Sequence, residues 1–358
     1  MTRLAELLSR FTGRGSHFPL YLPDLTLWYE WHQAQGTLPG PWQGSTLPEI
    51  AAAMDAPVWL PTRPWRVEMP GVEIVKTEHD GERVVQSQTP AGTLVARWTL
   101  GPDGDWWQTE YPVKSREDLA AVLELVGARS YLLDPAPYTE AASTVGHDGI
   151  VALEIPRRPY SDLLHDFLGW SEGLLFLADP LVLEIIAMLE DKLQQLATEV
   201  AQLPGEIVIS PDNLDGQFVS PRAFKKHLFE SYTSTARTFH SQGKALLVHI
   251  GGPIRHLLSP LAEAGIDGLE GIAGAPQSDA TLAEARDLAG PEIILWGGIP
   301  QDFLLEAHEY ETFEAAVRQA AQEASGDRGM ILGVADRVPV NADLSRLKAI
   351  PSLIERTS

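Results

Sequence analysis

Residues 244–272 read KALLVHIGGPIRHLLSPLAEAGIDGLEGI: an apolar run closed by a histidine, a Gly-Gly turn, apolar residues at helical spacing, then a second run that nears its end on a glutamate. Strand, helix, strand is the unit of a parallel sheet whose faces are covered by helices. The pattern extends on both sides, with GIVALEI at 149–155, EIVIS at 206–210, KALLVHI at 244–250, GIDGLEGI at 265–272, EIILWGG at 292–298 and GMILGV at 329–334. Between them, Pro180 to Gln202 carries an apolar stripe of period 3.6, and Ser220-Pro221 reads as an N-cap and first helical position of a helix running towards His240. Adding APVWLP at about 56–61 and a weaker strand near 131 gives the eight strands of an α/β fold, a single (β/α)8 TIM barrel. The rival is an open doubly wound sheet, lowered by the lack of a Gly-rich turn after a first strand.

The remaining segments decorate that barrel. MTRLAELLSRFTGRG is a short amphipathic helix pattern, and residues 1–67 are expected to form an N-terminal helical cap and the first strand. VEIVKTEHDGERVVQSQTPAGTLVARWTL alternates and breaks at Asp80-Gly81 and Pro90-Ala91-Gly92, a β-hairpin insertion or meander at about 70–100. One domain over residues 1–358 is the expectation.

The chain has 49 acidic against 27 basic side chains, a net charge of −22 that repels nucleic acid and anionic membrane surfaces. With no cysteine, thiolate metal sites, disulfides and thiol nucleophiles are excluded. No window reaches membrane-spanning length and no leader pattern is found, so a soluble cytoplasmic protein is expected. Residues 1–67 are neutral and hold five of the ten tryptophans; with Arg14, His17, Trp28, Tyr29, His32, Arg63, Trp65 and Arg66 they read either as an apolar pocket with cationic anchors or as a packed cap.

In such a barrel, chemistry gathers where strands end. Glu154, Arg157 and Arg158 follow one strand, Asp212 and Asn213 another; His249, Glu270 and Trp296 close three more, and Asp336 with Arg337 follows the last. His249 precedes Gly251-Gly252, which would let backbone approach a ligand, and its imidazole could bind a metal or move a proton. Asp212 and Glu270 could complete a divalent metal site with His249, or hold the imidazole without metal, or cap helices. Arg157-Arg158 reads as a carboxylate clamp or a solvated face, and Trp296 as a ligand wall or packing. No G-x-S-x-G, P-loop or HExxH motif is present.

The chain resembles the uroporphyrinogen decarboxylase superfamily over about residues 205–350, through ISPDNLDGQFVSPRAFKKHLFESY, GKALLVHIGGPIRHLL, AGIDGLEGIAGAPQSD, EIILWGGIP and ILGVADRVPVNADLSRL. TPAGTLVARW and EYPVKSREDL look like the insertion and following helix of its methyltransferase-like branch. The resemblance implies a (β/α)8 barrel, a homodimer, and one of two chemistries: decarboxylation of acidic tetrapyrroles, or zinc-dependent methyl transfer to or from a thiol or a corrinoid (cobalamin) protein. His249 matches the family histidine of a His-x-Cys zinc motif, but Gly251 stands where the cysteine belongs, and Gly333-Val334 stands where a later cysteine, or the decarboxylase histidine, would fall. Asp55 lies near the expected place of a catalytic aspartate.

Three functions follow. In a divergent methyltransferase, His249, Asp212 and Glu270 hold zinc, another divalent metal or the methyl donor, while Trp28, Trp65 and Trp296 enclose a quaternary amine or aryl methyl ether. A corrinoid-protein acceptor would call for an exposed apolar patch around the barrel mouth. In a metal-free decarboxylase or lyase, Arg14, Arg63, Arg66 or Arg157 grips a carboxylate substrate and His249 or a rim acid supplies the proton. Glu154, Asn213 and Arg337 are further candidate substrate contacts. The third is a ligand-binding member without turnover.

Overall fold

The computed structural model describes residues 20–101 and 104–357. They group into two compact units, one of residues 20–63, 135–155 and 203–357, the other of residues 64–134 and 156–202.

The first unit is an α/β fold built on eight parallel strands: β1 (Leu20–Tyr21), β2 (Val58–Thr62), β3 (Gly149–Glu154), β4 (Ile207–Asp215), β5 (Ala245–Gly251), β6 (Gly268–Ile272), β7 (Ile294–Ile299) and β8 (Met330–Val334). The hydrogen-bonded order β1-β8-β7-β6-β5-β4-β3-β2 follows the chain as a TIM barrel does; among the described residues no ladder joins β1 to β2. The sheet is curled, since Trp59 of β2 meets Trp296 of β7 edge to face at 4.7 Å although four strands separate them in the order. β6, β7 and β8 are buried at every residue, as expected of strands covered on both faces.

Side-chain alternation sets the interior. Leu22, Trp59, Ile150, Ala152, Ile207, Ile209, Ala245, Leu247, Ile294, Trp296 and Ile331 form one buried cluster inside the curl. Where a strand contributes two of them they are two residues apart, so counting on in twos gives the side chains that face inward at the strand ends.

Six expected strands appear with shifts of a few residues, and APVWLP supplies β2. The strand near 131 is a correction: Ser130–Leu133 pairs antiparallel with Trp65–Glu68 in the second unit, and β1 takes its place in the parallel sheet. β1 is two residues long between Pro19 and Pro23, too short to read as an apolar run. The helix from Pro180 ends at Val200, and the Ser220 hydroxyl accepts the Ala223 N–H as the N-cap. The amphipathic pattern at the start of the chain, with Arg14 and His17, lies outside the described residues.

In the second unit a four-stranded antiparallel meander runs Glu73–His79, Glu82–Thr89, Gly92–Leu100 and Trp106–Glu110. Asp80 and Gly81 turn its first hairpin with φ of 50° and 74°, the left-handed pair that matches strand twist. Leu94 and Ala96 are buried on the same side of the meander, and helix Asp118–Ala128 packs against it. No described helix is long and apolar enough to cross a membrane.

Candidate active site

Parity places the site. His249 keeps step with Ala245 and Leu247 and therefore faces inward. His249, Glu270, Trp296 and Ile331 are successive Cα partners across β5 to β8, so their side chains share the inner face. The same count from Leu22, Trp59 and Ala152 brings Asp24, Arg63 and Glu154 to the inner face where β1, β2 and β3 end.

The centre is an imidazole–carboxylate pair. His249 Nδ1 bonds Glu270 Oε2, and the two side chains are 17% and 8% exposed. Gly271 makes this seat possible, since a Cβ there would stand 3.0 Å from His249 Cε1 and would overlap the Ile250 carbonyl, and its φ of +97° suits glycine. His249 Nε2 lies 3.7 Å from Asp336 Oδ1, which in turn lies 3.5 Å from Arg337 Nε. Asp336 has φ +64°, in the left-handed region. Burial works against a charged imidazole, but the Glu270 carboxylate, its hydrogen bond and Asp336 outweigh burial and Arg337 and raise His249 to about 9. At neutral pH it is an imidazolium, an acid with its proton in place.

Asp24 is a rim residue that a reading of apolar runs alone misses, because β1 is too short to read as one. It is 7% exposed, its Oδ1 accepts the Thr26 N–H at 2.8 Å and hydroxyl at 2.5 Å, and its carbonyl accepts the Val338 N–H at 2.9 Å. Burial pushes its carboxyl up to about 6, with the Thr26 bonds opposing and Glu270 adding repulsion. Glu30 is also raised by burial, against Arg337 and Arg63. Arg63 Nε meets Glu154 Oε1 at 2.5 Å.

The other expected residues have partners of their own. Asp212 follows Ser210, where the register of β4 against β5 shifts; it is fully buried, accepts the Tyr232 hydroxyl at 2.5 Å and the Ser210 hydroxyl at 2.7 Å, and so faces the helix layer. Asn213 has φ +47°, and Gly251 and Gly252 make room for the side chains of Asn213 and Asp215. Trp28 is 1% exposed and packs on His32 and Trp42, Trp296 lies in the interior cluster, and Trp65 packs edge to face on Tyr131 within the second unit. In that unit Arg66 bonds Glu68, Arg157 lies 3.3 Å from Asp166, and Arg158 is fully buried. Asp55 is exposed in the turn before β2, at the wrong end of the strand for the rim.

The donors do not fit the zinc that the resemblance implies. One histidine nitrogen is taken by Glu270, Asp212 faces the helix layer, and no cysteine is available. A Cβ at Gly333 would stand 2.6 Å from Trp296 Nε1 and 2.6 Å from the Leu22 carbonyl oxygen. Among the described residues no three His, Asp or Glu side chains converge as a metal would require.

Comparison with known proteins adds the family. No curated protein matches the sequence. A methyltransferase from Methanosarcina mazei superposes with a TM-score of 0.61 at 16% identity, covering 99% of both chains, which establishes a shared fold. A D-psicose 3-epimerase from Clostridium cellulolyticum H10, solved with D-tagatose, gives 0.36 at 11% identity over 70% of this chain and 95% of its own, too low to argue from. The uroporphyrinogen decarboxylase (URO-D) profile matches residues 174–356, just over half of the chain, a span that holds β4 to β8 and the His249–Glu270 pair, and the chain belongs to that family.

Proposed function

We propose that this protein is an enzyme of the methyltransferase-like branch, in which the His249 imidazolium, anchored by Glu270, protonates the leaving heteroatom of a small methylated substrate as its methyl group passes to an acceptor. The observation that carries this reading is the buried imidazolium–carboxylate pair where β5 and β6 end, inside a rim richer in acids than in bases. Methyl transfer from an ether breaks the O–CH3 bond and leaves an oxyanion; a proton supplied in the same step avoids that charge, as general acids do for about 10²–10⁴-fold in rate. An aryl methyl ether suits this acid better than a quaternary amine, whose departing amine needs no proton. The acceptor is expected to be a corrinoid carried by a partner protein, which supplies a cobalt nucleophile. Among the described residues of the first unit, Tyr310 is the one exposed large hydrophobic side chain. A free corrinoid is therefore the first acceptor to try.

A metal-free decarboxylase is the second reading, supported by the same acid, which could protonate the carbanion left by CO2. Its carboxylate clamp is the weaker part, since Arg63, Arg66, Arg157 and Arg337 each already face a carboxylate.

The test incubates the full-length protein with reduced cobalamin and a panel of aryl methyl ethers and quaternary amines, following methyl-cobalamin by absorbance and the demethylated product by mass spectrometry. Demethylation of ethers by the native protein, lost in His249→Ala, is the expected result. Release of CO2 from a carboxylated substrate without methyl transfer would establish the second reading instead.

A further inference from the structure

We propose that Trp296, together with the Leu22 carbonyl that it hydrogen-bonds, fixes this site as metal-free: the indole and that carbonyl oxygen occupy the space that a side chain at position 333 needs, so that position 333 cannot contribute a ligand and His249 is left to its carboxylate partner. The inference deepens the reading above but does not depend on the reaction, because it concerns which groups can stand around His249.

Trp296 belongs to the same inward row as His249 and Glu270, directly beside Glu270 on the neighbouring strand. It is 2% exposed and held on several sides. Its ring packs edge to face on Trp59 at 4.7 Å, and its Nε1 donates to the Leu22 carbonyl at 2.9 Å. Leu22 is itself tied to β8, its N–H donating to the Leu332 carbonyl at 2.8 Å. A close-packed interior leaves an indole so held little freedom to move aside.

Gly333 lies on β8 two residues beyond Ile331 and so shares its inward parity. A Cβ added there meets Trp296 Nε1 at 2.6 Å, Cδ1 at 3.1 Å, and the Leu22 carbonyl oxygen at 2.6 Å, all closer than ordinary van der Waals contact. Tryptophan at 296 and any side chain at 333 are therefore mutually exclusive as packed. On the other side, Gly271 seats the His249 ring against the β6 backbone with Nδ1 committed to Glu270. What remains at the row is an acid–base pair beside an aromatic wall.

Two measurements on the full-length protein test this. In the first, protein is equilibrated with excess Zn²⁺ or Co²⁺, dialysed and assayed by elemental analysis and Co²⁺ absorption. The native protein is expected to retain no metal at His249, and the variant G251C/G333C with Trp296 kept is expected to retain none either, whereas W296A/G251C/G333C gains one Co²⁺ with a thiolate charge-transfer band. One equivalent of zinc in the native protein that is lost in His249→Ala overturns the proposal, as does equal binding by the two cysteine variants. The second covers the case in which the triple variant does not fold. Gly333→Ala should lower Tm by on the order of 5 °C in the native background and by less in the Trp296→Ala background, where only the Leu22 carbonyl contact remains and the indole no longer holds that carbonyl in place. An equal loss in both backgrounds means that the indole does not guard position 333, and the proposal fails.

Discussion

Two acids flank the strand that carries His249, and they have opposite fates. Asp212 lies towards the end of β4 and Glu270 on β6; both are buried, and both are polar residues following an apolar run. Asp212 accepts hydroxyl bonds from Ser210 and from Tyr232 on helix Phe229–His240. Glu270 turns inward and bonds the imidazole. The difference shows that in a curled parallel sheet the side of the strand, more than its end, separates a structural carboxylate from one that can act. The contrast is testable because the two substitutions should fail in different ways.

The largest expected effect is on activity at the Glu270 side. His249→Ala should lower kcat by about 10²–10⁴-fold, and Glu270→Gln by a smaller factor, with a loss of stability for the second that is confined to pH below about 9, where the imidazolium loses its counter-charge. A loss of fold without loss of specific activity would reverse the assignment. Asp212→Ala should do the opposite, costing about 3 kcal/mol in denaturant unfolding by leaving two buried hydroxyls without their shared acceptor, while the folded fraction keeps its kcat.

The pH dependence of stability sharpens the same contrast. The folded-state value of His249 is raised from 6.5 to about 9, so its contribution is complete below pH 6.5 and is lost as pH rises through 9. Urea unfolding between pH 6.5 and 10 should show a fall of up to about 3 kcal/mol that is absent in His249→Ala. Asp24 is raised from 3.8 to about 6, so the stability it lends is complete below pH 3.8 and is lost as pH rises through 6. Asp24→Asn keeps the acceptor for Thr26 and should therefore raise stability by about 1–2 kcal/mol at pH 7.5 and leave it nearly unchanged at pH 4. An equal gain at both values would mean that packing, not charge, is responsible.

Much of this is legible in the chain. The period-2 alternation that makes Ala245 and Leu247 interior also makes His249 interior, but the count does not carry to Asp212, because the register of β4 shifts after Ser210 and the Tyr232 contact decides which way Asp212 turns. Other features leave no such mark. β1 is too short to register, which hides Asp24; the seat of the imidazole depends on a close approach at Gly271; and the wall at Trp296 depends on a glycine on the next strand, Gly333. These are contacts between segments, and a pattern read within one segment does not contain them.

The smallest effect discriminates the two chemistries. Arg63 is a cation whose parity brings it to the rim, its side chain is 67% exposed, and it already pairs with Glu154. As an exposed pair it contributes less than about 1 kcal/mol to stability, so Arg63→Ala should leave Tm within about 1 °C of the native protein. Its effect on KM depends on what the substrate carries. A carboxylate gripped by the guanidinium loses a charge-assisted contact of about 1.5–3 kcal/mol, a KM increase of about 10–100-fold. A neutral methyl ether has nothing to lose there, and KM should change by less than about 2-fold. A large KM effect with unchanged kcat and Tm would therefore shift the assignment from methyl transfer to an acid that works on carboxylates.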